Sequence, residues 1–220
     1  MGPVPGRRAL VYLGILVFAL VAILLLLNMG NASADTIVDT DISTDETWNE
    51  TGSPYIVTKT GGIDVDSGAT LTIMNDTEVR FENGTGIVVM NGTLAVQGSE
   101  AGPVYFTAND SVMWGAWYGI QFNGADADGN MQNFMMEFGG GISASGGAAL
   151  GISHVQIMNT SYGLEWVVPT GDATVDITDL EVINCSNSAL SLIAVEGGLT
   201  AKISDTHFEN VDGHGFYVEA

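Results

Sequence analysis

Ile152-Ser-His-Val-Gln-Ile-Met-Asn159, Ile177-Thr-Asp-Leu-Glu-Val-Ile-Asn184 and Ile203-Ser-Asp-Thr-His-Phe-Glu-Asn210 align without a gap, at offsets of 25 and 26 residues. Each segment opens on isoleucine, alternates apolar with polar residues, and closes on asparagine. Each is followed by a short polar stretch and a further apolar run: Tyr162-Gly-Leu-Glu-Trp166, Ala189-Leu-Ser-Leu-Ile193 and Gly215-Phe-Tyr-Val218. Alternation over four to eight residues is the signature of a half-buried strand. Recurrence of such a unit at a fixed spacing is the signature of a solenoid, in which strands stack on their equivalents one turn away.

The pattern extends backwards in weaker form. Met131-Gln-Asn-Phe-Met-Met-Glu-Phe138 begins 21 residues before Ile152 and carries Phe138 where the later copies carry asparagine. Leu71/Ile73 and Leu94/Val96 open two earlier units, with Val79/Phe81 and Val104/Phe106 as second strands and Ile87/Val89 and Ile120/Phe122 as third strands. Val96 and Met131 are 35 residues apart, about a dozen more than the repeat needs, which places an excursion within Asn109–Asn130 around Trp114 and Trp117. Stacking predicts an internal column of Ile73, Val96, Met131, Ile152, Ile177 and Ile203. It predicts a second column, Asn159, Asn184 and Asn210, at a bend. Asparagine tolerates the left-handed backbone of a sharp turn, and its amide can bond to the amide above.

These residues resemble the parallel β-helix repeat family, the pectate-lyase-like superfold, in which an asparagine ladder at a bend recurs. Ser67-Gly-Ala-Thr-Leu-Thr-Ile73, Gly92-Thr-Leu-Ala-Val-Gln-Gly98, Gly102-Pro-Val-Tyr-Phe-Thr107 and Trp117-Tyr-Gly-Ile120 resemble opening coils of bacterial and archaeal surface β-helix proteins. The expected fold is all-β: a right-handed parallel β-helix of about six coils over residues 55–220, preceded by an N-terminal hydrophobic helix. The superfold hosts lyases, hydrolases, adhesins and inert spacers, so it does not fix a function.

The flanks and charge set the compartment. Arg7-Arg8 precedes an unbroken apolar run of 19 residues, 9–27, and Ala32-x-Ala34 has the spacing of a signal-peptidase site. Residues 1–34 therefore read as a signal peptide or an N-terminal membrane anchor. Residues 35–54 read as a polar linker or cap. Residues 35–220 carry all 26 acidic residues and only Lys59, Arg80 and Lys202 as bases, a net of −23. Such a chain repels nucleic acid and anionic membranes, so contact with a membrane is expected only through residues 9–27. The single cysteine, Cys185, allows no internal disulfide and reads as a buried apolar residue. Eight Asn-x-Ser/Thr sequons mark candidate glycans, provided that their asparagines are exposed.

Candidate chemistry is sparse. The resemblance implies that an enzyme on this fold would cut acidic polysaccharide, with clustered carboxylates on calcium and a free Arg or Lys. The bases are nearly absent. Gly213-His214-Gly215 matches a polygalacturonase tripeptide, which makes His214 the one catalytic candidate, but the adjacent aspartate pair is missing. Asp179 and Asp205 fall on one column with His154 and form a candidate calcium site. Asp126-Ala-Asp128-Gly129-Asn130 resembles part of a calcium loop. Each has the alternative of an outward polar face. Trp114, Trp117 and Tyr118 form a candidate sugar-stacking platform, with core cover as the alternative. No cofactor other than calcium is expected. The sequence-level reading is a non-enzymatic extracellular or cell-surface protein that is structural, adhesive or carbohydrate-binding. The alternative is a polysaccharide lyase or glycoside hydrolase whose site lies on coils absent from this chain. The expected partners are polysaccharide or cell-envelope components, and further coils or a partner at the open C-terminal edge.

Overall fold

The structure is a computed structural model that describes residues 34–145 and 149–219. The hydrophobic helix expected over residues 9–27 lies outside the described residues. Among the described residues, no helix is long and apolar enough to cross a membrane.

The short strands come first in the chain. They are β1 (Thr36–Val38), β2 (Glu46–Trp48), β3 (Tyr55–Val57), β4 (Ile63–Val65), β5 (Thr70–Met74) and β6 (Glu78–Phe81). Then follow β7 (Ile87–Val89), β8 (Thr93–Gln97), β9 (Val104–Ala108) and β10 (Ile120–Phe122). Longer strands complete the chain: β11 (Asp128–Glu137), β12 (Ile142–Ser145), β13 (Ala149–Thr160), β14 (Leu164–Cys185), β15 (Leu190–Val211) and β16 (Phe216–Glu219). Every pairing between these strands is parallel, and the chain forms a β-solenoid of about seven turns.

Three columns of inward side chains run through the turns. The first is Trp48, Ile73, Val96, Met131, Ile152, Ile177 and Ile203. The second is Tyr55, Val79, Phe106, Met136, Ile157, Val182 and Phe208. The third is Ile63, Ile87, Ile120, Ile142, Leu164, Leu190 and Phe216. Most of these side chains are fully buried, and each apolar side chain removed from water contributes about 1.5–3 kcal/mol. The seventh turn comes from residues 35–54, where β1 pairs with β3 and β2 with β5. Strands of three residues are too short to display an alternation, so the sequence shows this stretch only as polar.

Packing follows volume. Phe122, Ala144 and Trp166 are register neighbours, so the small residue sits between two large rings. Gly129 occupies a column otherwise filled by Leu94 and Leu150, and a Cβ there would meet the Phe122 ring at 2.7 Å. The excursion is residues 109–119, between β9 and β10, where neighbouring turns use only 82–86 and 138–141.

Two kinds of residue hold the bends. Asn133, His154, Asp179 and Asp205 form one left-handed column, and Phe138, Asn159, Asn184 and Asn210 form another, all with φ between 50° and 61°. Asn184 Nδ2 donates to Asn159 Oδ1 at 3.2 Å, and Asn210 Nδ2 donates to Asn184 Oδ1 at 3.1 Å. The third face is preceded by glycine. Gly62, Gly86, Gly119, Gly141 and Gly163, then Ala189 and Gly215, each stand one residue before a member of the third column. The N–H of that member donates to the carbonyl of the equivalent glycine or alanine in the next turn. A Cβ at Gly62 would lie 2.7 Å from the Gly86 carbonyl oxygen, and one at Gly86 would lie 2.7 Å from that of Gly119. The coils approach too closely there for most side chains.

Candidate functional site

The left-handed bend between the first and second faces displays the polar groups of the last turns. His154 Nδ1 lies 3.6 Å from Asp179 Oδ2, both side chains being exposed. Asp205 takes the same bend one turn on. Glu181 lies opposite His207 and accepts from Gln156 Nε2. Together with Ser99, Glu100, Pro103 and Asn133, the residues His154, Gln156, Asp179 and Glu181 border an open groove of about 280 Å³. Asp126 lies in the turn after β10 and Asp128 opens β11, both exposed and both remote in the repeat from Asp179 and Asp205. Among the described residues, no three His, Cys, Asp or Glu side chains converge as a metal site.

His214 is exposed, and its ring lies 5.2 Å from that of Tyr217. The Tyr217 hydroxyl donates to Glu219, which holds its pKa above the ordinary phenol value. Each of the three cations in the described residues faces a carboxylate. Lys59 Nζ is 3.0 Å from Asp41, Arg80 Nε is 2.9 Å from Glu78, and Lys202 Nζ is 3.5 Å from Asp176. The Arg80 guanidinium bonds Glu78 through two nitrogens, which keeps it even more firmly charged than usual. Cys185 is fully buried, and burial pushes its thiol pKa up.

The excursion separates the three predicted aromatic residues. Trp117 is a correction to the expected platform. Its ring is fully buried and stacks on Phe81, with centroids 3.9 Å apart, and its Nε1 donates to the Glu137 carbonyl at 3.0 Å. It roofs the core where the chain leaves the regular coil. Trp114 and Tyr118 are exposed, as are Val112 and Met113 beside them. The excursion folds back over the next turns, since Gly115 N–H donates to the Gly139 carbonyl at 3.2 Å.

Tyr118 has a partner that sequence reasoning missed. Tyr118-Gly119-Ile120, Gly140-Gly141-Ile142 and Tyr162-Gly163-Leu164 occupy successive turns in register. Tyr118 and Tyr162 therefore sit two turns apart, about 9–10 Å at the spacing of paired strands, with glycine between them. The two half-exposed rings flank a cleft of about 160 Å³, floored by Gly140 and Gly141. Gln121, Ser143 and Glu165, one per turn, line its side. Gln121 accepts from Asn123 at 3.3 Å, while the Ser143 hydroxyl and Glu165 carboxylate engage no partner among the described residues. A side chain at Gly140 would collide with the Tyr118 carbonyl, so the requirement that closes the backbone also keeps the cleft open. The signal was legible in the repeated Tyr-Gly-Ile/Leu tripeptide.

Comparison of the chain with family models, with curated proteins and with solved structures returns no match.

Proposed function

We propose that this chain is a non-enzymatic, exported surface protein: a right-handed β-helix of the pectate-lyase-like kind, serving as a structural or adhesive module that binds carbohydrate. The observation that carries this reading is the state of the bases. Cleavage of an acidic polysaccharide needs a cation free to offset the uronate charge and a base free to take a proton. Lys59, Arg80 and Lys202 each face a carboxylate already. His214 stands on an exposed turn with no carboxylate pair beside it among the described residues. Right-handed crossover is the form that parallel strands adopt almost without exception. The apolar run at 9–27 with Ala32-x-Ala34, and the net charge of −23 over residues 35–220, support export to a surface.

The test is incubation of the purified protein with a panel of acidic and neutral polysaccharides, with and without calcium. No unsaturated ends and no new reducing ends are expected. Turnover that disappears in His214→Ala would overturn the reading and favour a hydrolase.

A further inference from the structure

We propose that the cleft between Tyr118 and Tyr162 binds a neutral, extended pyranose chain lying along the solenoid axis. This inference rests on the carbohydrate-binding part of the reading above and gives it a place and a ligand class. Three observations converge on it. The first is the pair of rings. Both are exposed on a wall whose remaining lining is Gly140, Gly141, Ile142 and the polar side chains of Gln121, Ser143 and Glu165. An aromatic face turned to water matches the apolar face of a pyranose ring, and the tyrosine hydroxyl at its rim meets the sugar hydroxyls.

The second is periodicity. The two tyrosine positions stand two turns apart, about 9–10 Å along the backbone. Gln121, Ser143 and Glu165 follow alongside at one per turn, about 4.8 Å each. That step is close to the length of one pyranose unit in an extended chain. Alternate sugars would stack on Tyr118 and Tyr162, and the sugar over Gly140 would pass between the rings. The hydroxyls along one edge would meet the amide, hydroxyl and carboxylate column. The third is charge. Glu165 lies in the cleft, and no cation lines it. A uronate chain would be repelled by Glu165 and by the surrounding excess of carboxylates, whereas a neutral chain is not.

The test is calorimetric titration of the folded protein with cellobiose, cellotetraose and tetragalacturonate. Cellotetraose should bind more tightly than cellobiose, because only the longer chain reaches both rings, and tetragalacturonate should not bind. Tyr118→Ala and Tyr162→Ala should each weaken cellotetraose on the order of five- to ten-fold, by the usual strength of a ring contact. Tyr105→Ala removes an exposed tyrosine on another face and should leave the affinity unchanged. Tyr118→Phe and Tyr162→Phe keep the rings and the fold, and should hold the affinity within about two-fold. Cellotetraose binding that survives the double alanine variant, or that the phenylalanine variants lose as fully as the alanine ones, would overturn the cleft while leaving carbohydrate binding in place. An absence of binding to every neutral and acidic chain would overturn both.

Discussion

The first turns and the last turns of this solenoid are held by different means. Up to β10, no strand is longer than five residues, the bends are frequent, and the inside is closed by large rings. Trp48 stacks on Tyr55 at 4.7 Å and Phe81 on Trp117 at 3.9 Å, all of them buried. β13 runs for 12 residues and β14 and β15 for 22 each, interrupted only by single left-handed residues. There the backbone ladder and the asparagine amides do more of the work. The final turn leaves Phe216 and Val218 exposed and Ile203, Phe208 and Leu199 only partly covered. The early turns depend on side-chain volume, and the late turns on hydrogen-bonded register.

The largest effect should come from a change that violates the requirement both regions share. Gly119→Val places a branched side chain at φ 90° and drives its Cβ into the Gly141 carbonyl. A loss of about 4 kcal/mol is expected from backbone strain and overpacking together. Urea titration followed by circular dichroism checks it, and a loss below about 1 kcal/mol would show that the coils can separate there.

Next comes the contrast itself. Phe81→Ala empties a fully buried site under Trp117 and should cost about 3–5 kcal/mol. Phe208→Ala, the same change on the second face of the last turn, should cost about 1–2 kcal/mol, because its ring is only partly buried. Equal losses would erase the distinction between the two regions. Asn184→Ala removes the central rung, which both donates and accepts in the ladder, and forces alanine into φ 54°. About 1–2 kcal/mol is expected from these two changes. Asn184→Gly should recover the backbone part of the loss, and hydrogen exchange should accelerate in β14 and β15 rather than in β5 or β8.

The smallest effect is a response to pH in the first turns. The Asp41 carboxylate accepts from the Asp64 N–H at 2.7 Å and faces Lys59, so its pKa lies below the usual carboxylate range despite partial burial. A carboxyl with a depressed folded pKa contributes stability above its unfolded pKa and loses it as the pH falls through the folded value. Because the pair is well exposed, this amounts to about 0.5 kcal/mol or less. Asp41→Asn should lower stability by that amount at neutral pH and leave it nearly unchanged below the folded pKa, so that the acid limb flattens, and an unaltered acid limb would remove Asp41 from the account.

Much of the architecture is legible in the repeat, and the reasons are physical. Ile152, Ile177 and Ile203 announce their column because the inward position of a strand admits little else. The asparagines announce theirs because few residues accept a left-handed bend. His154 and Phe138 sit in the same two bend columns and are placed there by the alignment of the repeats alone, and Phe138 is a residue type that does not signal that conformation. For Trp117 the sequence left platform and core cover both open, because an aromatic residue in an irregular loop carries no period from which to infer its side, and the ring covers the core. The Tyr118–Tyr162 cleft was missed for a different reason. Its members lie 44 residues apart and become neighbours only when Gly140 is counted as a turn of its own. The glycine column was equally open to view, as a Gly-Ile, Gly-Leu or Gly-Phe pair in six of the turns.

That glycine column bears on how such a chain can be edited. Each Gly-Ile or Gly-Leu pair re-establishes alignment with the neighbouring turn, whatever length of chain has come just before. The ten-residue stretch 109–118 enters immediately ahead of Gly119, and the strands resume in step behind it. Growth or shrinkage of the chain at this seam need not propagate along the solenoid. The seam between the second and third faces is therefore where new surface can be grafted at the lowest structural risk, and it is where Tyr118 stands.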